Sequence, residues 1–257
     1  MKRLHFSYEM ELQFGRPVTE HYFVLRFVPE SSAVQTIGEL DYEVRPAAHL
    51  ARQRDGFGNL IFVGDIRESH EAFSYRTTGV AQVSYAEGLP EALHPLYRRK
   101  SPLTAMDEGL EQLYQKLYPS EASVFPRAVC LMHGLYGHFS YRKGSTDVRT
   151  TAAEAFRAGG GVCQDYAHIL IALCRRDGIP ARYVSGLMLG EGASHAWTEI
   201  YADGRWIGLD ATNDRVATDD YIRIAQGRDY QDCPVERGVL KGDASQAQQV
   251  HVKVEEQ

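Results

Sequence analysis

The sequence has no long hydrophobic run and no block of like charges, and each absence excludes a class of protein. No stretch approaches the roughly 20 apolar residues that a transmembrane helix requires, so we expect no membrane partner. The 34 acidic and 28 basic residues give a net charge of −6 and are interspersed along the chain. Because nucleic-acid-binding proteins carry a basic patch or stripe, we expect no nucleic-acid partner either.

Cysteine is also scarce, with four residues, Cys130, Cys163, Cys174 and Cys233, in a chain of 257. They include no CxxC pair, and they are too few for a disulfide scaffold. No zinc-site spacing or P-loop is present, so we expect neither a metal nor another cofactor. The segment MKRLHFSYEMELQF has a basic start but lacks the apolar core of a signal peptide. We therefore expect reduced thiols and a cytoplasmic location.

The first part of the chain shows the two-residue period of β-strands. From Leu4 to Phe14 every second residue is apolar, and Gly15 and Pro17 then predict the end of that strand. The segment HYFVLRFVP predicts a second strand, and the turn-forming DGFGN precedes a third, LIFVGDI. Short strands with turn signals between them indicate a β-sandwich-like N-terminal domain over residues 1–95.

A linker with three prolines follows at residues 88–104, and after it the apolar period becomes that of helices. We predict four helices: residues 104–118 with Thr104 as the cap, residues 124–136, a short helix with a Thr151–Glu154 capping box that stops at Gly159, and a fourth that begins near Cys163 and ends before Gly178. The strand pattern returns after Pro180. Residues 103–257 therefore predict an α+β second domain.

The segment GGGVCQDYAHILIALCRRDGIP, residues 159–180, places a cysteine where a glycine-rich turn meets a predicted helix. At a helix start, unpaired backbone N–H groups and the positive end of the dipole favour a thiolate. The same N–H groups suit a developing oxyanion. Cys163 is therefore a candidate nucleophile, although a buried structural thiol is the alternative for any lone cysteine. Cys174 lies about three turns later beside Leu170 and Leu173 and is assigned to the core.

A nucleophilic thiol needs a base, and the base needs an orienting group. In HAWTEIYADGRWIGLDAT, the Asp-Gly pair at residues 203–204 predicts a two-residue hairpin turn. The turn sets the register, with Tyr201 opposite Trp206, and continued pairing puts His195 and Asp210 on one face, one diagonal step apart. Diagonal neighbours are about 7–8 Å apart at Cα, so the imidazole and the carboxylate can meet. One hairpin thus supplies both groups.

These segments resemble the transglutaminase-like superfamily, in its bacterial cysteine-protease-like branch. The resemblance rests on FSYRKGST, TTAAEAFRAGGGVCQDYAHILIALCRRDGIPARYVSG, HAWTEIY, WIGLDATN and GRDYQDCPVERG, between residues 139 and about 242. The segments HYFVLRFVP and DGFGN resemble the β-rich domain that often precedes this core. The resemblance implies an α+β, papain-like core in which a helix carrying the cysteine packs on an antiparallel sheet carrying the histidine and the aspartate. Ala211 departs from the family, which usually has proline in DPTN.

Three further residues are candidates for supporting the site. The resemblance makes Tyr141 a candidate oxyanion donor, although a packed tyrosine is the simpler alternative. Gln164 follows the cysteine and can support the helix start. Trp197 either lines the wall of the site or belongs to an aromatic pair in the core. If the hairpin register were different, Asp214 would be the nearest other carboxylate for His195.

The resemblance implies acyl transfer at an amide bond of a peptide or protein substrate. Cys163 would attack the carbonyl, His195 would take and return the proton, and Asp210 would orient the imidazole. Water as acceptor gives a peptidase or amidase, or a deamidase if the substrate is glutamine, whereas an amine gives a transglutaminase. We expect hydrolysis, because nothing in the sequence would exclude water. A non-catalytic peptide- or glycan-binding module is the alternative from another class.

Overall fold

Helices and strands both contribute to this α+β fold, with 22% of residues in helix and 46% in strand. The computed structural model describes residues 1–85 and 88–257, so residues 86 and 87 of the predicted first domain lie outside the described residues. The strands are β1 (Lys2–Leu25), β2 (Gln35–Arg45), β3 (Leu50–Arg54), β4 (Leu60–Ile66), β5 (His70–Val83), β6 (Ser140–Tyr141), β7 (Gly160–Gly161), β8 (Ala181–Met188), β9 (Gly190–Gly192), β10 (His195–Ala202), β11 (Arg205–Asp210), β12 (Arg215–Val216), β13 (Tyr221–Gly227), β14 (Glu236–Lys241) and β15 (Gln246–Glu256). The helices are α1 (Glu108–Leu117), α2 (Val124–His138), α3 (Ala152–Ala158) and α4 (Cys163–Arg176), with short 3-10 turns at Pro95–Arg98, Pro102–Thr104 and Tyr230–Asp232.

Strand β1 is one continuous strand of 24 residues, where the sequence predicts two. Its first half pairs with β5 and β15, and its second half pairs with β4 and β14. The register with β5 shifts between Gln13 and Val18, on either side of Gly15 and Pro17. Gly15 and Pro17 therefore mark the point at which β1 changes its partner strands, and the strand continues beyond them. A Cβ on Gly15 would lie 2.3 Å from the Ser245 Oγ, so glycine permits this close approach.

The last two strands return to the sheet of the N-terminal region. Strand β15 runs antiparallel to β1, from the pair Leu4–Glu256 to the pair Phe14–Gln246. The sequence places these strands with the second domain. In β15 only Val252 and Val254 are buried, and so short an apolar pattern does not specify the sheet to which a strand belongs. The division at residues 95–103 stays a prediction, but the C-terminal strands complete the first sheet.

The second sheet has the strand order β12-β11-β10-β8-β13, with every pair antiparallel. The predicted hairpin register is confirmed, because Tyr201 pairs with Trp206 across β10 and β11. Asp203 and Gly204 form the turn with φ values of 49° and 81°, as a two-residue hairpin loop requires. Helix α4 packs on this sheet, where the Thr198 hydroxyl of β10 donates to the carbonyl of Ala167 at 3.2 Å.

The helices follow the local signals closely, with one difference. Helix α1 begins after Asp107, whose carboxylate accepts from the Leu110 N–H at 2.9 Å, and not after Thr104, which is buried in a 3-10 turn. The capping box of α3 is present, and Gly159 ends that helix with a φ of 73°. Among the described residues, no helix combines the length and hydrophobicity needed to cross a membrane.

Candidate active site

Cys163 is the first residue of α4 and is partly exposed. The two residues of β7 before it pair in parallel with β6, which brings Tyr141 opposite Gly161. A Cβ on Gly161 would lie 2.3 Å from the Asp165 Oδ2, and a Cβ on Gly160 would lie 2.9 Å from the Ser140 carbonyl oxygen. The glycines of this turn are therefore required by close packing around the helix start.

Asp165 fixes the beginning of α4. Its Oδ2 accepts from the Val162 N–H at 2.7 Å and from the Thr146 hydroxyl at 2.7 Å. Burial raises the pKa of Asp165, and these two hydrogen bonds oppose the rise. A carboxylate at the first turn of a helix also interacts favourably with the helix dipole. The residues on either side of Cys163 are thus held in place.

The contact predicted between His195 and Asp210 is present. His195, at the start of β10, has its Nε2 2.8 Å from the Asp210 Oδ2 at the end of β11. The imidazole is 9% exposed and the carboxylate is fully buried. The bond occupies Nε2, so the second ring nitrogen, Nδ1, is the one left for another partner.

Cys163 is the other group that acts on this imidazole. Burial lowers the pKa of His195, but hydrogen bonds to Asp210 and to Cys163, together with the charges of both groups, outweigh burial and raise the pKa to about 9. At neutral pH the ring therefore favours the imidazolium form. A protonated imidazole between a carboxylate and a thiol can stabilise a thiolate and later deliver a proton.

Five donors surround the Asp210 carboxylate. Its Oδ2 accepts from His195, from the Asn213 side-chain amide at 2.7 Å and from the Tyr221 hydroxyl at 2.7 Å. Its Oδ1 accepts from the N–H groups of Thr212 at 3.0 Å and Asn213 at 3.3 Å. Burial raises the pKa of Asp210, but the bonds from His195, Asn213 and Tyr221 outweigh it, so the pKa is lowered. The buried carboxylate is therefore ionised and fully hydrogen-bonded.

Sequence reasoning gave no role to Asn213 or Tyr221. The signal for Asn213 is local, since it follows Asp210 by three residues and could have been found as part of an Asx-type turn. Tyr221 has no such signal, because it comes from β13, which pairs with β8 and not with the hairpin. Asp214, the alternative carboxylate, contacts the Nδ1 of His133 on α2.

The three supporting candidates lie in different surroundings. Tyr141 is 52% exposed and pairs with Gly161, two residues before Cys163, and burial and then the charge of Cys163 raise its pKa. Gln164 donates through its Nε2 to the Asp147 carbonyl oxygen at 3.4 Å. Trp197 is buried and stacks against the His195 ring at 6.4 Å between centroids, so it belongs to the aromatic core behind the imidazole.

The remaining cysteines and His168 lie in the interior or contact the backbone. Cys174 and Cys233 are fully buried, and burial raises the pKa of each. The Cys130 thiol contacts the Leu117 carbonyl at 3.7 Å. His168 accepts from a backbone N–H through Nε2, and burial lowers its pKa to about 3. Over residues 1–85 and 88–257, no group of three or more His, Cys, Asp or Glu side chains could hold a metal ion.

Comparisons with known proteins identify the family in both parts of the chain. Residues 111–211 match the family model of the transglutaminase-like superfamily. This range includes Cys163, His195 and Asp210. Residues 4–82 match the bacterial transglutaminase-like N-terminal region.

Relatives and a solved structure extend along nearly the whole chain. An uncharacterised protein of Mycobacterium tuberculosis is 30% identical, over 93% of this chain and 87% of its own. One from Mycobacterium leprae is 27% identical, over 94% of each chain. The crystal structure of "a Putative Cysteine Protease from Cytophaga hutchinsonii" has the same fold, with a TM-score of 0.82 at 24% identity over 99% of this chain and 90% of that one. The chain belongs to the transglutaminase-like superfamily.

Proposed function

We propose that this protein is a cysteine peptidase or amidase that uses Cys163, His195 and Asp210 for acyl transfer at amide bonds. The observation that carries the proposal is the position of one imidazole between a buried carboxylate and a partly exposed thiol at a helix start. Members of the superfamily are typically cysteine-dependent enzymes, which supports the same conclusion. The substrate is a peptide or protein.

The reaction proceeds through two acyl transfers. In the first, the Cys163 thiolate attacks the amide carbon, and His195 gives its proton to the leaving nitrogen as the carbon–nitrogen bond breaks. The product is a thioester and a free amine. In the second, His195 takes a proton from water as the oxygen attacks the thioester, and the thiolate leaves. Asp210 holds the imidazole in one orientation throughout and stabilises its protonated form.

The oxyanion of each tetrahedral intermediate needs donors near Cys163. Backbone N–H groups of the first turn of α4 point out of the helix end, where the dipole also favours negative charge. The Tyr141 hydroxyl is the side-chain candidate, because this half-exposed residue pairs with Gly161, two residues before Cys163. We assign the oxyanion to these groups, and we assign Gln164 to holding the adjoining loop.

Water is the acceptor we favour. Cys163 is partly exposed and Tyr141 beside it is half-exposed, so solvent reaches a thioester at this position. Transamidation by an amine is the second candidate, because the same three residues serve either acceptor. A glutamine side chain as substrate would make the hydrolytic reaction a deamidation.

A peptide library tests the proposal directly. The protein is incubated with the library in the presence and absence of a primary amine, and the products are identified by mass spectrometry. We expect cleaved or deamidated peptides in both cases, and none with a Cys163→Ala variant. A dominant amine adduct would identify a transglutaminase. Peptides that stay intact and remain bound to the protein, with no product formed, would identify a binding module.

A further inference from the structure

The hydroxyl of Tyr221 connects the candidate site to a surface arginine. Tyr221 is fully buried on β13 and donates to the Asp210 Oδ2 at 2.7 Å. The Tyr221 hydroxyl oxygen in turn accepts from the Nε of Arg215 at 2.8 Å, and the guanidinium carbon lies 5.1 Å from the centroid of the tyrosine ring. A chain of hydrogen bonds therefore runs from Arg215 through Tyr221 and Asp210 to His195.

In this chain of hydrogen bonds, the positive charge of Arg215 acts through Tyr221 on Asp210. A hydroxyl that accepts from a guanidinium becomes a stronger donor, because hydrogen bonds in a chain polarise one another. Arg215 therefore strengthens the bond from Tyr221 to Asp210. A carboxylate that shares its charge with strong donors attracts the proton of His195 less strongly. Loss of either donor would concentrate negative charge on the atom that faces the imidazole.

Few other charged groups face the imidazole. Cys163 approaches it from α4, Asp210 from β11 and Tyr221 from β13. On β8 the residue paired with His195 is Gly186, which carries no charge.

Other titratable groups lie farther out. Asp165 lies two residues after Cys163 in the first turn of α4, and burial and then the charge of Cys163 raise the pKa of Tyr141. Asp214 is paired with His133 on α2. Arg215 itself also approaches Asp220, at 3.8 Å. The Asn213 side-chain amide donates to the same Asp210 oxygen that faces His195, and Tyr221 is the donor to that oxygen that is itself bonded to a cation, Arg215.

We propose that Tyr221 and Arg215 are positioning residues that limit the proton affinity of the His195–Asp210 pair, an inference that rests on the proposed acyl transfer. His195 must hold a proton beside the thiolate and then release it to the leaving nitrogen. A carboxylate without competing donors would hold the imidazolium too strongly for that release. The two residues keep the imidazole within the range in which both steps are possible.

The titration of His195 measures this effect without any substrate. In protein labelled with 13C at the histidine Cε1 position, NMR follows the ring through its pH midpoint, and the His195 signal is identified by its loss in His195→Gln. We expect Tyr221→Phe to raise the midpoint by about one pH unit, which is a tenfold change in proton binding. Arg215→Gln should raise the His195 midpoint by less than Tyr221→Phe does. The midpoint of Arg215→Lys should lie between those of Arg215→Gln and the wild type.

Tyr85→Phe is the matched control. The Tyr85 hydroxyl is buried and has no hydrogen-bond partner in the described part of the chain, so its removal should leave the His195 midpoint unchanged. A midpoint that stays the same or falls in both Tyr221→Phe and Arg215→Gln would overturn the inference. If Tyr221→Phe fails to fold, Arg215→Gln decides alone, because Arg215 is exposed and its replacement leaves the core intact.

Turnover separates the two proposals. If an amide substrate is found, Tyr221→Phe should lower kcat with little change in KM, and the alkaline limb of its pH profile should move upward. If no amide is turned over but the midpoints shift as expected, acyl transfer is wrong and the electrostatic role of Tyr221 stands. If amides are turned over and the midpoints do not move, acyl transfer stands and the electrostatic role of Tyr221 is wrong.

Discussion

At the scale of single residues, the site is built around one buried negative charge. An isolated carboxylate in the interior would take up a proton to avoid the cost of burial. Asp210 stays ionised because five donors satisfy its oxygens, among them the imidazole of His195. The thiol side of the site differs, since Cys163 is partly exposed at a helix end while Cys174, on the same helix, is fully buried.

This difference predicts opposite effects for two cysteine replacements. Cys163→Ala should abolish turnover and remove the site of rapid iodoacetamide labelling, with little change in stability. Cys174→Ala should keep turnover but lower the free energy of unfolding by on the order of 1 kcal/mol, because it leaves a small cavity in the core. Peptide mapping after labelling, with urea unfolding of both variants, checks the pair. An inactive but stable Cys174→Ala would mean that the nucleophile is wrongly assigned.

At the scale of elements, the turn before α4 decides where the thiol lies. A Cβ on Gly161 would meet the Asp165 Oδ2 at 2.3 Å, and that oxygen caps the helix through the Val162 N–H. Gly161→Ala should therefore displace the cap and cost about 1–3 kcal/mol in the free energy of unfolding, as overpacking does. It should also reduce turnover, since Cys163 moves with the helix start.

Gly137→Ala provides the control for that substitution. Gly137 lies in α2, and a Cβ there would have nothing within 4 Å. Alanine should raise stability at this position by about 0.5–1 kcal/mol, because it lowers the entropy lost on forming a helix. Thermal unfolding of the two variants gives opposite shifts if close packing at Gly161 is the cause. Two equal shifts would contradict that explanation.

The elements that sequence reasoning predicted are those whose signals are local. The hairpin turn, the capping box of α3 and the start of α4 each depend on residues a few positions apart, and all three are present. The continuity of β1 depends on its pairing with four other strands, and the return of β15 to β1 brings together opposite ends of the chain, such as Leu4 and Glu256. Tyr221 is only 11 residues from Asp210 in sequence, but it was missed because their contact depends on the strand order of the sheet.

At the scale of the whole molecule, the N-terminal region contacts the sheet that carries the site. The side chain of Gln35 accepts from the Arg223 N–H at 2.8 Å and donates to the Arg223 carbonyl at 2.9 Å. Asn59 makes the corresponding pair of bonds to the backbone of Gln226. Both contacts fall on β13, the strand that supplies Tyr221. The N-terminal region therefore helps to fix the strand that supports Asp210.

Buried histidines in both regions make the stability of the molecule depend on pH. Burial, and then the neighbouring His70, lower the pKa of His21 to about 4, and burial lowers the pKa of His168 to about 3. Between these values and the ordinary histidine value of about 6.5, the unfolded chain binds more protons, so stability falls as pH falls. His195 acts in the opposite direction. Its pKa of about 9 gives stability that is complete below about pH 6.5 and is lost as pH rises through 9.

We therefore expect greatest stability near neutral pH, with losses on both sides. His21→Phe keeps an aromatic ring beside Phe14, Phe23 and Phe73 but removes the titrating group. Urea unfolding between pH 4 and 7 should show a smaller decline for this variant than for the wild type. His251→Gln, at an exposed position, is the control and should decline as the wild type does. An unchanged slope in His21→Phe would mean that His21 does not resist protonation in the folded state, and the acid limb would then belong to His168 and the buried carboxylates.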